Sequence, residues 1–164
     1  MYNKKVSSAG KLYDHITWNK SDAASLKFYA VAPALGTTDA TQRIQPAVYS
    51  NTTLPYVEFT ANSDVKKQTD LMLATTDNMQ YDNYGSSAIP LVFTHATTAI
   101  KFKIGNTLAY NREITKISIQ GVYSKGQVDL RTKAWSNQNT PANYDLTLTP
   151  AVSTKQAKGA TVTD

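Results

Sequence analysis

The side chains of this sequence whose reference pKa values lie at acidic to neutral pH are two histidines, His15 and His95, and twelve carboxylates. A catalytic histidine needs a nucleophile and an orienting carboxylate beside it. The sequence has no Gly-x-Ser-x-Gly elbow, no phosphate-binding glycine loop and no histidine pair with metal-binding spacing. It also has no cysteine, which excludes thiol chemistry and thiolate metal sites. We therefore interpret His95 as a structural residue hydrogen-bonded at a turn, and predict no enzymatic activity and no cofactor.

Two Asp-Asn pairs, Asp77-Asn78 and Asp82-Asn83, offer the hard oxygen ligands that calcium prefers. Their spacing lacks the ligand order of an EF-hand and the glutamate that ends such a loop. The pattern is typical of a solvated, turn-rich loop, which we place at residues 75–87. The sequence therefore predicts no metal site.

Aromatic residues give a second kind of candidate site. A tyrosine ring has an apolar face and a polar tip, so it suits contacts with sugars and with protein surfaces. Tyr81 and Tyr84 lie in the polar loop and are the candidates for exposed ligand contacts. Trp18 and Trp135 lie next to predicted strands, so we expect them to pack in the core or at the ends of sheets.

The composition limits the classes of function. Hydrophobic residues make up 41% and charged residues 18%, and the remainder is rich in Thr, Ser, Asn and Gln, as in many exported β-proteins. The net charge is +5, but only Lys4-Lys5 and Lys66-Lys67 are adjacent, so no basic stripe for nucleic acid is present. A membrane-spanning helix needs about 20 consecutive apolar residues, and no window of the sequence approaches that length. The N-terminus lacks the apolar core of a signal peptide, so we expect any export signal to lie outside this chain.

Short segments with alternating hydrophobic residues predict an all-β fold. Residues 26–31 and 56–61 alternate, residues 71–74 form a short apolar run, and residues 62–69 suit one capped helical turn. Counting in this way gives seven to nine short, mainly antiparallel strands in a β-sandwich. We expect one domain at residues 1–149, followed by an irregular tail or the start of a further domain at residues 150–164.

The strongest strand signal lies in the middle of the chain. Residues 89–93 and 100–104 predict two strands joined at residues 94–98. Ile100, Phe102 and Ile104 alternate with Lys101 and Lys103, so the lysines are expected in water and the other three side chains in a core.

A second hairpin is predicted over residues 117–130, with a tight turn at residues 124–126. Gly121 lies inside its first arm and suggests a β-bulge. A polar loop is expected after Trp135, and alternation at residues 144–148 predicts the last strand.

Several of these segments resemble, in order and spacing, the N-terminal domain of the Bacteroidetes fimbrillins. The similar runs are LKFYAVAP at 26–33, QTDLMLA at 68–74, IPLVFTHA at 89–96, IKFKI at 100–104 and ISIQGVY at 117–123, with Trp18, Gly126, Leu130 and Trp135. The resemblance covers roughly residues 4 to 149 and implies a transthyretin-like β-sandwich.

The resemblance implies a non-enzymatic structural subunit of a cell-surface fimbria, acting as stalk, tip or anchor and contributing to adhesion to a host or bacterial surface ligand. Members of the family are exported as lipoprotein precursors to the outer membrane and are trimmed by a protease after a basic residue. They assemble by inserting a donor strand of one subunit into a hydrophobic groove of the next. Membrane contact is then expected only through a lipid anchor that is absent from this chain.

This sequence lacks the lipid-bearing cysteine and first strand that the family has before the position of Tyr2, and the second β-domain after Leu148. We therefore interpret the chain as an excised or incomplete first domain, for which truncation, proteolysis and a short family member are the alternative explanations. A carbohydrate-binding or adhesive β-sandwich module of a cell-surface protein is the alternative function.

If the protein does accept a strand, interior-facing apolar residues form the floor of the groove. Alternation selects five of them as candidate contacts for the partner strand: Ile100, Phe102, Ile104, Ile117 and Ile119.

Overall fold

Nine β-strands and two helical turns form in the part of the chain that a computed structural model describes, namely residues 6–12, 17–21, 23–34, 43–44, 55–85, 87–103 and 112–154. The strands are β1 (Ser25–Leu26), β2 (Tyr29–Ala32), β3 (Arg43–Ile44), β4 (Tyr56–Thr60), β5 (Met72–Thr75), β6 (Met79–Gln80), β7 (Thr94–His95), β8 (Glu113–Asp129) and β9 (Trp135–Ser153). A 3-10 turn spans Val65–Lys67, and a single α-helical turn spans Tyr81–Tyr84. The all-β prediction is therefore confirmed. No helix within these ranges is long and apolar enough to cross a membrane.

The strands form three antiparallel sheets in a sandwich-like arrangement. One sheet has the order β2-β5-β7, a second has the order β3-β4-β8-β9, and β1 pairs with β6. In the first sheet Leu73 lies opposite both Val31 and Thr94, which places β5 at the centre. In the second sheet Val57 of β4 lies opposite Val128 of β8.

The core lies between these two larger sheets. It consists of side chains from β4, β5 and β8 and their immediate neighbours: Val57, Phe59, Leu71, Leu73, Val128 and Leu130. Burying each such aliphatic or aromatic side chain contributes about 1.5–3 kcal/mol. The two sheets are also joined by a hydrogen bond of 2.5 Å, in which the Thr75 hydroxyl donates to the carbonyl of Leu130.

Several predicted elements are confirmed. The strand at residues 56–61 is β4, whose buried residues alternate with half-buried ones. The apolar run at residues 71–74 lies in and beside β5, and Leu71, Leu73 and Ala74 are buried. The expected helical turn is the 3-10 turn, where the Asp64 carboxylate accepts a hydrogen bond from the Lys66 backbone N–H.

The predicted hairpin turn at residues 124–126 is wrong, because β8 continues through it to Asp129. The chain turns at residues 130–134 instead, where the Asp129 carboxylate accepts hydrogen bonds from the N–H groups of Arg131 (2.7 Å) and Thr132 (2.9 Å). The expected polar loop after Trp135 is also wrong, since those residues belong to β9. The bulge at Gly121 is confirmed by its φ of +70° and by a register shift between Ile119 and Val122.

The predicted central hairpin is wrong as well. Residues 89–93 and 100–102 are not in strands, and β7 occupies part of the predicted turn. Ile100 is 56% exposed instead of facing a core, and Ile104 lies outside the described residues. Ile100 and Phe102 do lie on one side of the chain and Lys101 does not. The side that Ile100 and Phe102 share faces an open groove instead of a closed core.

Strand β9 lies at the outer edge of its sheet and contains Pro141 and Pro150. Proline has no backbone N–H, so it is found at sheet edges and in bulges instead of in central strands. These residues therefore leave β9 with two fewer backbone donors than an ordinary strand of its length. The strand continues to Ser153, past residue 149, and the predicted tail beyond residue 154 lies outside the described residues.

Candidate functional site

A large groove opens beside β8, and we call it the β8 groove. It has a volume of about 1230 Å³ and is lined by parts of β8 and β9, the end of β4, and the segments 65–70 and 95–102. Most lining side chains are apolar. Pockets for small molecules usually measure about 300–1,000 Å³. The size therefore suits a longer occupant such as a stretch of polypeptide.

The floor of the β8 groove is one face of the β8–β9 hairpin. Ile117 lies opposite Leu146, and Ile119 lies opposite Tyr144. All four side chains line the groove. Side chains in a strand alternate between its two faces, so residues two apart on each strand project to the same side. The register between the two strands places these pairs next to each other as a continuous apolar surface.

The opposite face of the same hairpin is polar. Asp145 accepts a hydrogen bond of 2.5 Å from the Ser118 hydroxyl and forms an ion pair of 3.0 Å with Lys116. The hydrogen bond from Ser118 lowers the pKa of the Asp145 carboxyl below its usual range, and the hydrogen bond and positive charge of Lys116 lower it further. The hairpin is therefore amphipathic, and its apolar face is the one that lines the groove.

Tyr144 adds a polar atom to the groove wall. Its ring is 9% exposed, and its hydroxyl is buried without a hydrogen-bond partner among the described residues. Burial raises the pKa of this phenol, and the nearby Ser124 hydroxyl offsets part of the rise. The Ser124 hydroxyl itself donates to the carbonyl of Thr140.

One end of the β8 groove is closed by Trp135. Its indole Nε1 donates to the carbonyl of Ala96 over 2.9 Å, and its ring packs edge-to-face on Phe59 with 6.0 Å between centroids. The ring also lies directly against Gly126 of β8, where an added Cβ would be 2.8 Å from the indole Cε3. Glycine at position 126 therefore lets the indole pack on bare backbone. The bond to Ala96 connects the segment after β7 to β9.

The rim of the β8 groove carries a small polar cluster around Asp70. Its carboxylate is hydrogen-bonded to Nδ1 of His95 and accepts a bond of 2.5 Å from the Thr97 hydroxyl. Burial alone would raise the pKa of Asp70, but the bonds from Thr97 and His95 outweigh it and lower the pKa below its ordinary value. The predicted hydrogen bond of His95 is confirmed, although His95 lies in β7 and not at a turn. The Thr97 hydroxyl is bonded to the carboxylate and not to the imidazole, so the three side chains lack the hydroxyl–imidazole contact of a hydrolase triad.

Two stretches of backbone beside the groove have no hydrogen-bonded neighbour on their groove side among the described residues. Strand β4 pairs with β8 from Lys125 to Asp129, and the ladder ends with a bond from the Ala61 N–H to the Ser124 carbonyl. Beyond it, residues 113–123 pair with β9 on one side only. Residues 98–102 make no backbone hydrogen bond to any described residue. A strand edge such as that of β8 can accept another strand.

The groove brings together four of the five predicted contact residues, namely Ile100, Phe102, Ile117 and Ile119. The fifth, Ile104, lies outside the described residues. Their role as contacts for a partner strand stays a prediction.

Sequence reasoning did not include Trp135, Tyr144 and Leu146 in the groove. The alternation of Tyr144 and Leu146 was visible in the sequence. The pairing register that places them beside Ile119 and Ile117 was not visible.

The two candidate tyrosines are half-buried in the structure. The ring of Tyr81 packs edge-to-face on Trp18, with 5.5 Å between centroids. Tyr84 lies in the same helical turn. The neighbouring Asp82 forms an exposed ion pair of 2.6 Å with Lys20. The expectation that both tryptophans serve in packing is confirmed by these contacts and by those of Trp135.

Comparison with known proteins assigns the chain to a family. No curated protein and no solved structure matches it significantly. The sequence profile of the family described as fimbrillin-like matches residues 2–163, which is nearly the whole chain. The all-β architecture agrees with the sandwich that the sequence resemblance implied. The chain therefore belongs to the fimbrillin-like family and is in general terms a structural subunit of a cell-surface fimbria.

Proposed function

We propose that this protein assembles into a fimbria by accepting an extended β-strand from another fimbrial subunit in the β8 groove. The observation that carries the proposal is an apolar groove bordered by the part of β8 that has no partner on that side among the described residues. In β-augmentation the main-chain hydrogen bonds along such an edge provide affinity, and pockets for alternate side chains provide specificity.

The incoming strand adds to β8 in line with β4. Strand β4 pairs with the last part of β8 and ends where the groove begins, so the new strand continues the same row of the sheet. The groove-lining part of β8 runs from Ile117 to Gly126, and β4 already pairs with it from Lys125 onwards. At about 3.3 Å per residue the eight residues before Lys125 span about 26 Å, which suits a strand of about eight to nine residues.

The apolar surface of the groove favours an occupant whose alternate residues are also apolar. Ile117 and Ile119 are half-buried and Ile100 is exposed, so all three have surface left to cover. Covering apolar surface contributes about 25 cal/mol per Å². Contiguous exposed apolar surface of this kind marks interaction sites in many proteins.

The wider biology of the proposal is supported by family membership alone. It comprises export as a lipoprotein precursor, anchoring at the outer membrane, and adhesion to a host or bacterial surface ligand. The carbohydrate-binding alternative gains no support from the described residues, since Tyr81 packs on Trp18 instead of standing free.

A photo-crosslinking experiment in cells that make the fimbria tests the proposal. A photoreactive amino acid replaces Ile119, which lines the groove, and in a matched variant it replaces the neighbouring Ser118, which lies on the polar face. Both variants are irradiated, and crosslinked peptides are identified by mass spectrometry. Thermal unfolding of each purified variant checks that it folds.

We expect the variant at position 119 to crosslink to one defined segment of another fimbrial subunit, and the variant at position 118 to give no such product. Crosslinks of equal yield at both positions, or none at position 119 within assembled fimbriae, would refute strand addition in this groove.

A further inference from the structure

We infer that residues 98–102 form a second docking edge of the β8 groove, so that the incoming strand is hydrogen-bonded on both sides and carries acidic residues on the side of Lys101 and Lys103. This inference rests on the proposed function and specifies the partner of the same groove.

The first step concerns the position of this segment. Thr98, Ala99, Ile100 and Phe102 line the groove together with the apolar residues of β8. The segment follows β7, which belongs to the β2-β5-β7 sheet, whereas β8 belongs to the other large sheet. The groove is therefore bordered by β8 of one sheet and by the irregular segment that follows β7 of the other sheet.

The second step concerns the backbone of the two borders. Residues 98–102 make no backbone hydrogen bond to a described residue, and β8 lacks a described partner on its groove side over residues 113–123. Residues 98–101 are exposed and Phe102 is half-buried, so this backbone is accessible to an incoming strand. A strand that entered between the two borders and bonded to both would have the backbone groups that it buries paired on both sides.

The third step concerns charge. Lys101 and Lys103 are exposed and alternate with the groove-lining Ile100 and Phe102. Neither lysine forms an ion pair with a described residue. The rim carboxylate Asp70 is already bonded to His95 and Thr97.

In a paired strand, directly opposite residues project to the same face, and opposite charges there are favourable. A partner strand that places apolar residues against Ile100 and Phe102 therefore places its other residues against the lysines. Acidic side chains fit these outward positions best, and they agree with the net charge of +5 of the whole chain.

A backbone-methylation scan tests the two-sided pairing. The probe is a synthetic peptide of about nine residues with valine at alternate positions and glutamate between them, matched to the length of the groove. Each interior N–H is N-methylated in turn, and binding to the purified protein is measured by calorimetry.

If only β8 pairs with the peptide, every second N–H points away from a partner, and methylation at alternate positions leaves the affinity unchanged. If both edges pair, methylation at each interior position lowers the affinity, by about tenfold.

A charge series forms the second arm. Peptides with lysine or threonine in place of glutamate are compared on the wild-type protein, on Lys101→Glu and on Lys27→Glu. Lys27 is exposed and does not line the groove, so its replacement makes the same change in net charge elsewhere. We expect Lys101→Glu to lower the affinity for the glutamate peptide, relative to the affinity for the threonine peptide, by a factor on the order of three to ten. Lys27→Glu should leave that ratio unchanged.

The outcomes separate the two levels of the proposal. If no peptide of the series binds, both strand addition and this inference are wrong. Two outcomes would refute the second edge while strand addition stands. In one, methylation at every second position leaves the affinity unchanged, and in the other, the preference for glutamate peptides does not depend on Lys101.

Discussion

Replacing Gly126 by alanine tests how the closed end of the β8 groove is built. An added Cβ would lie 2.8 Å from Cε3 and 3.1 Å from Cζ3 of the Trp135 ring. Carbon atoms in favourable contact are about 3.5–4.0 Å apart, so the ring or the strand has to move. The ring is fixed by its bond to Ala96 and its packing on Phe59, so it is not a flexible end that can yield freely.

The expected cost follows from these contacts. If the ring moves away, the protein loses a hydrogen bond of about 1 kcal/mol and an aromatic pair of about 0.5–1.5 kcal/mol. If it stays, overpacking costs about 1–3 kcal/mol. Alanine also restricts the unfolded chain, which offsets about 0.4–1 kcal/mol. We therefore expect Gly126→Ala to lower the free energy of unfolding by about 1–2 kcal/mol.

Urea unfolding at constant m-value measures this change. A double-mutant cycle with Trp135→Leu supplies the control, because that substitution removes the indole. In the Trp135→Leu background Gly126→Ala should cost less than about 0.5 kcal/mol, since contacting residues have a coupling energy and independent residues do not. Equal costs in both backgrounds would refute the explanation by ring contact.

Two further predictions concern the polar groups of the groove. Because the pKa of Asp70 in the folded protein lies below its ordinary value of 3.8, its carboxylate stabilises the fold above that value, and this contribution is lost as pH falls through the folded-state pKa. The stability difference between wild type and Asp70→Asn in urea unfolding should therefore shrink as pH falls from about 5 towards 2, and a difference that is independent of pH would contradict the assignment. Tyr144→Phe removes a buried hydroxyl without a described partner, so the free energy of unfolding should change by less than about 0.5 kcal/mol or increase. A loss of more than about 1 kcal/mol would show that this hydroxyl is hydrogen-bonded in solution.

The sequence was sufficient to predict elements whose alternation reflects burial in the core. The apolar patterns of β4 and of residues 71–74 predicted these segments correctly. Their apolar residues Val57, Phe59, Leu71 and Leu73 are buried in the core, so the pattern reflects burial. The bulge at Gly121 could be predicted because an isolated glycine within a strand pattern has few other structural roles. The class of fold follows from many such short segments taken together.

The sequence was misleading where residues serve packing or remain exposed. Gly126 resembled a turn glycine, but it lies inside β8 and gives room to the ring of Trp135. The polar residues that follow Trp135 resembled a loop because most of β9 up to Asn143 is exposed on both faces. Such a strand has no hydrophobic period to detect.

The groove could be predicted in part. The alternation of Ile100 and Phe102 identified an apolar face correctly, but it could not show whether that face is covered by the protein itself. Whether a side chain faces a core or a groove depends on which strands pair, and pairing over long sequence separations is not encoded in local periodicity. The four predicted residues that line the groove could be selected because they are apolar and alternate with polar residues. That they face an open groove depends on the sheet topology, which the alternation does not reveal.

Pro141 and Pro150 bear on the shape of any polymer that this subunit forms. A subunit whose sheet could grow at both margins would have two sites for incoming strands, and such units build branched or sideways aggregates. In the described part of this hairpin, β9 lacks two N–H groups at Pro141 and Pro150, whereas β8 borders the proposed acceptor groove. If strands add at that groove alone, each subunit accepts one neighbour, and the polymer grows as a single unbranched filament.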